Sequence, residues 1–207
     1  MKLFFQYCSY GFSNCYILGT DYVDSAKPNT AIIVDPGSIE NIMLENIENN
    51  NFDLKAVLVT HDHLSHVRGL RTLKRIYNAE VFAVNQNIMD HKTTMVKDGD
   101  KINIAGFSIE VISIPGHSSD SVVYRIGELL FTGDVLTAGL AGSTASAYGA
   151  ATQMDKLRSR LLSLPGDYVV LPGHGPPSTL EAERRFNTSI FKYDQNRNKR
   201  PVFRIDT

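Results

Sequence analysis

At 207 residues the chain can bury a substantial core, and it reads as one domain over 1–207, with a core to about 190 and a basic C-terminal extension over about 191–207. Its 43% hydrophobic and 21% charged residues exclude a disordered chain, and a net charge of −1 gives no electrostatic case for nucleic acid. No stretch approaches the roughly 20 apolar residues of a membrane helix, so neither nucleic acid nor membrane is an expected partner.

Met1 to Cys8 carries one cation and an apolar run too short for a signal peptide, which places the protein in the cytoplasm. The segment predicts a first strand near 2–7, followed after Gly11 by strands near 14–19 and 31–35. Cys8 and Cys15 can face each other across that hairpin, and free thiols are the default in a reducing compartment. Ile39, Ile42, Met43 and Ile47 follow a helical period and predict a helix around 39–50. The apolar strand 55–60 then runs into Thr60-His61-Asp62-His63-Leu64-Ser65-His66. In extended chain, i and i+2 share a side, so His61 and His63 can bind one ion as a pair. His66, at the first turn of the next segment, can lean back towards them. Three imidazoles so close suggest zinc, iron or manganese. A helix near 67–77 follows, with Leu70, Leu73, Ile76 and Tyr77 on one face, then strand 80–84. A short helical stretch is expected around His91, which reads as a surface or packing histidine.

The second half predicts strands at 102–104, 107–114, 121–126 and 129–132. Thr152-Gln153-Met154-Asp155 opens a helix that Pro165-Gly166 ends. Strand 168–171 follows, and Ser178-Thr179-Leu180-Glu181 reads as a capping box for the last helix. Three of these strands repeat the pattern seen at His61. The strand to Ile114 stops at Pro115-Gly116-His117, Phe131-Thr132 runs into Gly133-Asp134, and Leu171 is followed by Pro172-Gly173-His174. A polar residue capping one strand is ordinary. Four such ends imply convergence on one metal site along a sheet edge.

These residues resemble the metallo-β-lactamase-fold hydrolases, whose signature is a His-x-His-x-Asp-His loop, a His after Pro-Gly, an Asp after Thr-Gly and a final Gly-His. Val34-Asp35-Pro36-Gly37, Leu171-Pro172-Gly173-His174-Gly175-Pro176 and 178–187 are similar to the glyoxalase II-like branch. The resemblance implies an α/β (α+β sandwich) protein with four αββα layers, two mixed β-sheets face to face and metals in a cleft at one edge. It implies that His61, His63 and His117 hold one metal, that Asp134 bridges, and that His66 and His174 hold a second. The expected cofactor is Zn2+, one or two ions, with Fe or Mn as alternatives.

Three places depart from the family pattern. The motif Asp, a ligand of the second metal, is Ser65 here, so that site is expected to bind more weakly. Asp62 is a poor substitute, because alternation points it away from His61 and His63. Ser118-Ser119-Asp120-Ser121 brings a carboxylate towards the rim, and 139–151, small and uncharged, reads as a mobile lid or lining. Asp35 is expected to brace the ligand loops by hydrogen bonds.

The expected activity is glyoxalase II-like hydrolysis of a thioester or another small-molecule ester, with Asp134 and His174 as the catalytic side chains. A mononuclear-iron persulfide-dioxygenase-like oxidoreductase is one alternative, although 139–151 lacks the Arg of that branch. A non-enzymatic metal- or ligand-binding descendant is another. The basic tail reads as solvated, with reach over the cleft or homodimer pairing through Val202-Phe203-Arg204-Ile205 as alternatives.

Overall fold

The computed structural model describes residues 1–21 and 28–198. β1 (Lys2–Tyr7), β2 (Asn14–Gly19) and β3 (Asn29–Val34) run antiparallel in succession. α1 (Asn41–Asn49) carries the chain to β4 (Phe52–Leu58), parallel to β3. α2 (Leu64–Val67) and α3 (Leu70–Ile76) carry it to β5 (Glu80–Ala83), parallel to β4. A small hairpin, β6 (Asn87–Ile88) and β7 (His91–Lys92), precedes β8 (Thr94–Met95), and the first sheet has the order β1-β2-β3-β4-β5-β8.

β9 (Lys101–Ile104), β10 (Phe107–Ser113), β11 (Val122–Ile126) and β12 (Leu129–Gly133) form an antiparallel meander. The hairpin β13 (Leu136–Thr137) and β14 (Leu140–Ala141) leads to α4 (Ala147–Lys156), which continues as a π-helix over Leu157–Leu162. β15 (Val169–Pro172) lies parallel to β12, and β16 (Ser178–Thr179), α5 (Leu180–Phe186) and α6 (Thr188–Asn198) complete the described chain. The second sheet has the order β16-β15-β12-β11-β10-β9.

Side-chain alternation explains the layering. Phe107, Ile109 and Val111 of β10 point inward and meet Tyr16, Leu18, Ile32, Val34 and Leu58 of the first sheet. The C-terminal end of β4 is buried on both faces: Ala56 and Leu58 face the other sheet, while Val57, with Val59 just past the strand, faces Met43, Ile47, Leu70 and Leu73 of the helices outside. Ile112, Val123 and Leu130 on the far face of the second sheet pack against Leu157, Leu161 and Leu180. Two mixed sheets between helical layers are the four layers expected.

Local departures have local causes. The stretch around His91 is a hairpin, not a helix, because Met89 and Asp90 both take positive φ (47° and 66°) and turn the chain without a glycine. The predicted helix at 67–77 breaks at Gly69, whose amide donates to the Pro36 carbonyl at 2.8 Å; a Cβ there would collide with that oxygen. α4 starts at Ala147 rather than Thr152, capped by Ser146, whose hydroxyl accepts from the Gly149 amide at 3.0 Å. α5 is capped by Thr179 and not Ser178, which instead donates to Glu183. Segment 139–151 thus holds β14, a connecting stretch over 142–146 and the first residues of α4. α6 extends to Asn198, and the tail residues 199–207, with Val202 to Ile205, lie outside the described residues. Among the described residues no helix is long and apolar enough to cross a membrane.

Candidate metal centre

The four chain ends converge. β4 delivers Thr60 to His66, β10 leads to His117, β12 ends beside Asp134, and β15 ends just before His174. His61 Nε2 lies 3.0 Å from His63 Nδ1, which lies 3.1 Å from His117 Nε2. Asp134 Oδ2 is 3.8 Å from His61 Nε2, 3.5 Å from His117 Nε2 and 3.6 Å from His174 Nε2. Asp134 Oδ1 faces His66 Nε2 at 3.3 Å. Two candidate ligand sets result, His61, His63, His117 and Asp134, and His66, Asp134 and His174, each with its donor atoms within 4.8 Å of one another.

The outer hydrogen bonds fix which imidazole nitrogen faces inward. The Thr60 hydroxyl donates to Asp35 Oδ2 at 2.6 Å, so it accepts from His61 Nδ1 at 3.1 Å and leaves His61 Nε2 as a lone pair. His66 Nδ1 donates to the same Asp35 oxygen at 3.1 Å, and the Thr60 amide donates to Asp35 Oδ1 at 2.8 Å. His117 Nδ1 donates to the Ser143 carbonyl at 2.8 Å, and His174 Nδ1 to the Phe12 carbonyl at 3.0 Å. Asp35 therefore braces both sets, from a backbone of φ 52° that few residues other than glycine adopt.

The electrostatics follow from crowding. Burial pushes the His61 pKa down to about 3, so it stays neutral, as a ligand must. Burial works against a charged His66, but Asp134 and Asp35 outweigh it and push its pKa up to about 10 in the metal-free chain. Burial would raise Asp134, yet the imidazoles of His66, His61 and His174 hold it well below the usual carboxylate range.

This donor set fits a divalent cation. The Nε2 lone pairs of His61 and His117 converge beside a carboxylate, and the buried His66 Nε2 and Asp134 Oδ1 face each other at 3.3 Å without hydrogen-bond geometry to any other group. Nitrogen and carboxylate donors in this number suit zinc, iron or manganese. The second set has three protein ligands, and no further carboxylate joins it among the described residues.

The remaining candidates lie around it. Ser65 packs in α2 against Gly11 at φ 70°, where a Cβ would collide with its own, and its carbonyl accepts from the Ser13 hydroxyl. Asp62 is exposed and in neither set; its amide donates to Asp120 Oδ2 at 2.9 Å, which Asn85 also reaches at 3.1 Å. Asp120 thus braces the histidine loop from the rim. His91 sits in the β6–β7 hairpin, in neither set. Cys8 and Cys15 are free, buried thiols in contact with each other. The chain pattern gave no sign of the Ser143 and Phe12 carbonyls, because any residue supplies a carbonyl. Thr60 was visible only as the residue before the first histidine.

The metallo-beta-lactamase superfamily model matches residues 9–174. An uncharacterised protein of Mycobacterium tuberculosis is 33% identical over 84% of this chain and 91% of its own. The hydroxyacylglutathione hydrolase GloC of Haemophilus influenzae is 27% identical over the same shares. Among solved structures, ETHE1 from Myxococcus xanthus superposes with a TM-score of 0.80 at 25% identity, covering 98% of this chain and 93% of that one. TTHA1623, solved in a di-iron-bound form, gives a TM-score of 0.73 at 25% identity, covering 89% and 98%.

Proposed function

We propose, from the premise that this chain belongs to the metallo-beta-lactamase superfamily, that it is a metal-dependent hydrolase of a thioester or other small ester. The observation that carries this reading is the convergence of His61, His63, His117 and Asp134, with His66 and His174 sharing the same carboxylate. The likeness to a hydroxyacylglutathione hydrolase supports the same reaction class. A small-molecule substrate and a cytoplasmic setting belong to the same proposal.

A divalent ion, zinc in this proposal, supplies a water acidified towards neutrality and a Lewis acid for the carbonyl oxygen. Asp134 stays anionic beside its imidazoles, so it can accept a hydrogen bond from the attacking water and set its direction. His174, with 34% of its side chain exposed, and the exposed His63 open the centre to solvent, so substrate meets it on the side of these two imidazoles. Asp35 and Thr60 keep His61 and His66 as tautomers that present Nε2 inward.

A mononuclear iron oxidoreductase of the persulfide-dioxygenase kind is the second reading. It is favoured by one observation: the four-ligand set is complete without a carboxylate at Ser65, whereas the three-ligand set is not.

The deciding experiment is metal content per chain, by elemental analysis of protein purified without added metal or chelator. About one zinc supports a working four-ligand site; two show that solvent or another group replaces the missing carboxylate. Iron with oxygen uptake on a glutathione persulfide moves the assignment to the oxidoreductase. No metal, even after incubation with zinc, iron and manganese, overturns both enzyme readings and leaves a binding domain.

A further inference from the structure

The geometry points to Gln153 as a positioning residue of the metal centre, acting on His117 and Asp134 through the backbone that carries them. Gln153 lies on α4 and is 2% exposed. Its Nε2 donates to the Gly142 carbonyl at 3.0 Å and to the Val135 carbonyl at 3.3 Å. Both partners are acceptors, so the amide nitrogen and not the oxygen must face them. Val135 follows the ligand Asp134. Gly142 precedes Ser143, whose carbonyl accepts from His117 Nδ1 at 2.8 Å. One side-chain amide thereby reinforces the two ends of the β13–β14 hairpin, which the Gly142 amide also joins by donating to the Val135 carbonyl at 3.3 Å.

The same residue supports His117 from below. A Cβ at Gly116, the residue before His117, would collide with the Gln153 Cβ, so the two backbones touch without a side chain between them. On the other side, a Cβ at Gly142 would fall on the Asp134 carbonyl and come close to His117 Nδ1. Gln153 is therefore enclosed by the segments bearing His117 and Asp134. Its Oε1 is buried with no partner. A buried amide with half its capacity unused adds nothing to a core that an apolar residue of the same length would not supply. Its two donated bonds are what an apolar replacement would lose, and the one to Gly142 acts on the residue before Ser143, whose carbonyl selects the His117 tautomer with Nε2 inward.

The test is Gln153→Met, which keeps side-chain length and removes both donors, made in the full chain. Nitrogen-15 NMR of neutral His117 in the metal-free protein should show the Nδ1–H tautomer in the wild type and a shift towards Nε2–H in the variant. Zinc affinity, by competition with a chromogenic chelator, should fall about 10–100-fold while far-UV circular dichroism is unchanged. Unchanged tautomer and unchanged affinity in a folded variant overturn the proposal. The zinc readout rests on the metal-centre reading, whereas the tautomer readout does not. If the wild type binds no zinc, that reading fails and the tautomer alone decides this one. If the variant does not fold, exchange of the wild-type Gln153 side-chain amide protons decides. Protection supports the clamp, and exchange as fast as at an exposed glutamine overturns it.

Discussion

At the scale of single residues, the centre depends on a carboxylate that is present and another that is not. Asp134 is shared by both ligand sets, while Ser65 stands where the family signature has an acid. Ser65→Asp should raise metal content towards two per chain and increase ester hydrolysis, both measured on the same preparation. No rise in either would mean that the packing of Gly11 and Ser13 around this turn has closed the space a carboxylate needs. The metal-free protein should also show a distinctive pH profile. His61, held neutral with a pKa of about 3, is protonated in the unfolded chain below about 6.5, so stability falls with pH from there towards 3. His66, raised to about 10, contributes stability that is full below 6.5 and is lost as pH climbs to about 10. Urea unfolding of the chelated protein should therefore be most resistant near pH 6.5; a maximum displaced to pH 9 would contradict these environments.

Among the elements, the hairpin β13–β14 depends on a residue far from it in the chain. Glu183, 2% exposed on α5, accepts from the Gly139 amide at 3.1 Å with both oxygens, from the Ser178 hydroxyl and from Asn187 Nδ2. Glu183→Ala leaves the buried Asn187 amide without this acceptor and the half-buried Gly139 and Ser178 donors to solvent, and should cost about 1–3 kcal/mol in urea unfolding. The strands before each ligand were legible because apolar alternation and Pro-Gly or Thr-Gly punctuation survive in one dimension. His61, His63, His66, His117, Asp134 and His174 could be singled out for that reason, and the structure brings all six together. The local structure of 139–151, expected as a mobile lid or lining, was not legible because small residues carry no periodic signal. Glu183 and Gln153 contact it over separations of 44 and 11 residues. The turn at Met89 and Asp90 was hidden for a related reason, since neither residue type announces positive φ.

For the whole molecule, the placement of charge constrains the substrate. The segments around the centre, 9–14, 60–66, 115–121, 134–150 and 172–178, contain no Lys or Arg, while Phe12, Leu64, Leu140 and Tyr148 on them are exposed. Apart from a bound metal and Arg68, whose guanidinium lies 4.1 Å over the Tyr10 ring, these segments offer a substrate's anionic groups little counter-charge, whereas neutral acyl groups meet apolar surface. Thioesters of N-acetylcysteamine, which are uncharged, should therefore match glutathione thioesters in kcat/KM to within about threefold. Both should change little between about 0.05 and 0.5 M salt. A glutathione preference of more than about tenfold that collapses with salt would show that cations elsewhere in the chain recognise the leaving group.

The ligands also sit far apart along the chain, His61 following β4 of the first sheet and His174 following β15 of the second. Their side chains meet only once the two sheets have docked, a non-local contact whose loop-closure entropy must be paid first. An ion bound there would be absent from the folding transition state, so it would leave the refolding rate almost untouched and lower the unfolding rate. The centre would then act as a latch on the finished sandwich, and its loss would show first as a shorter native lifetime.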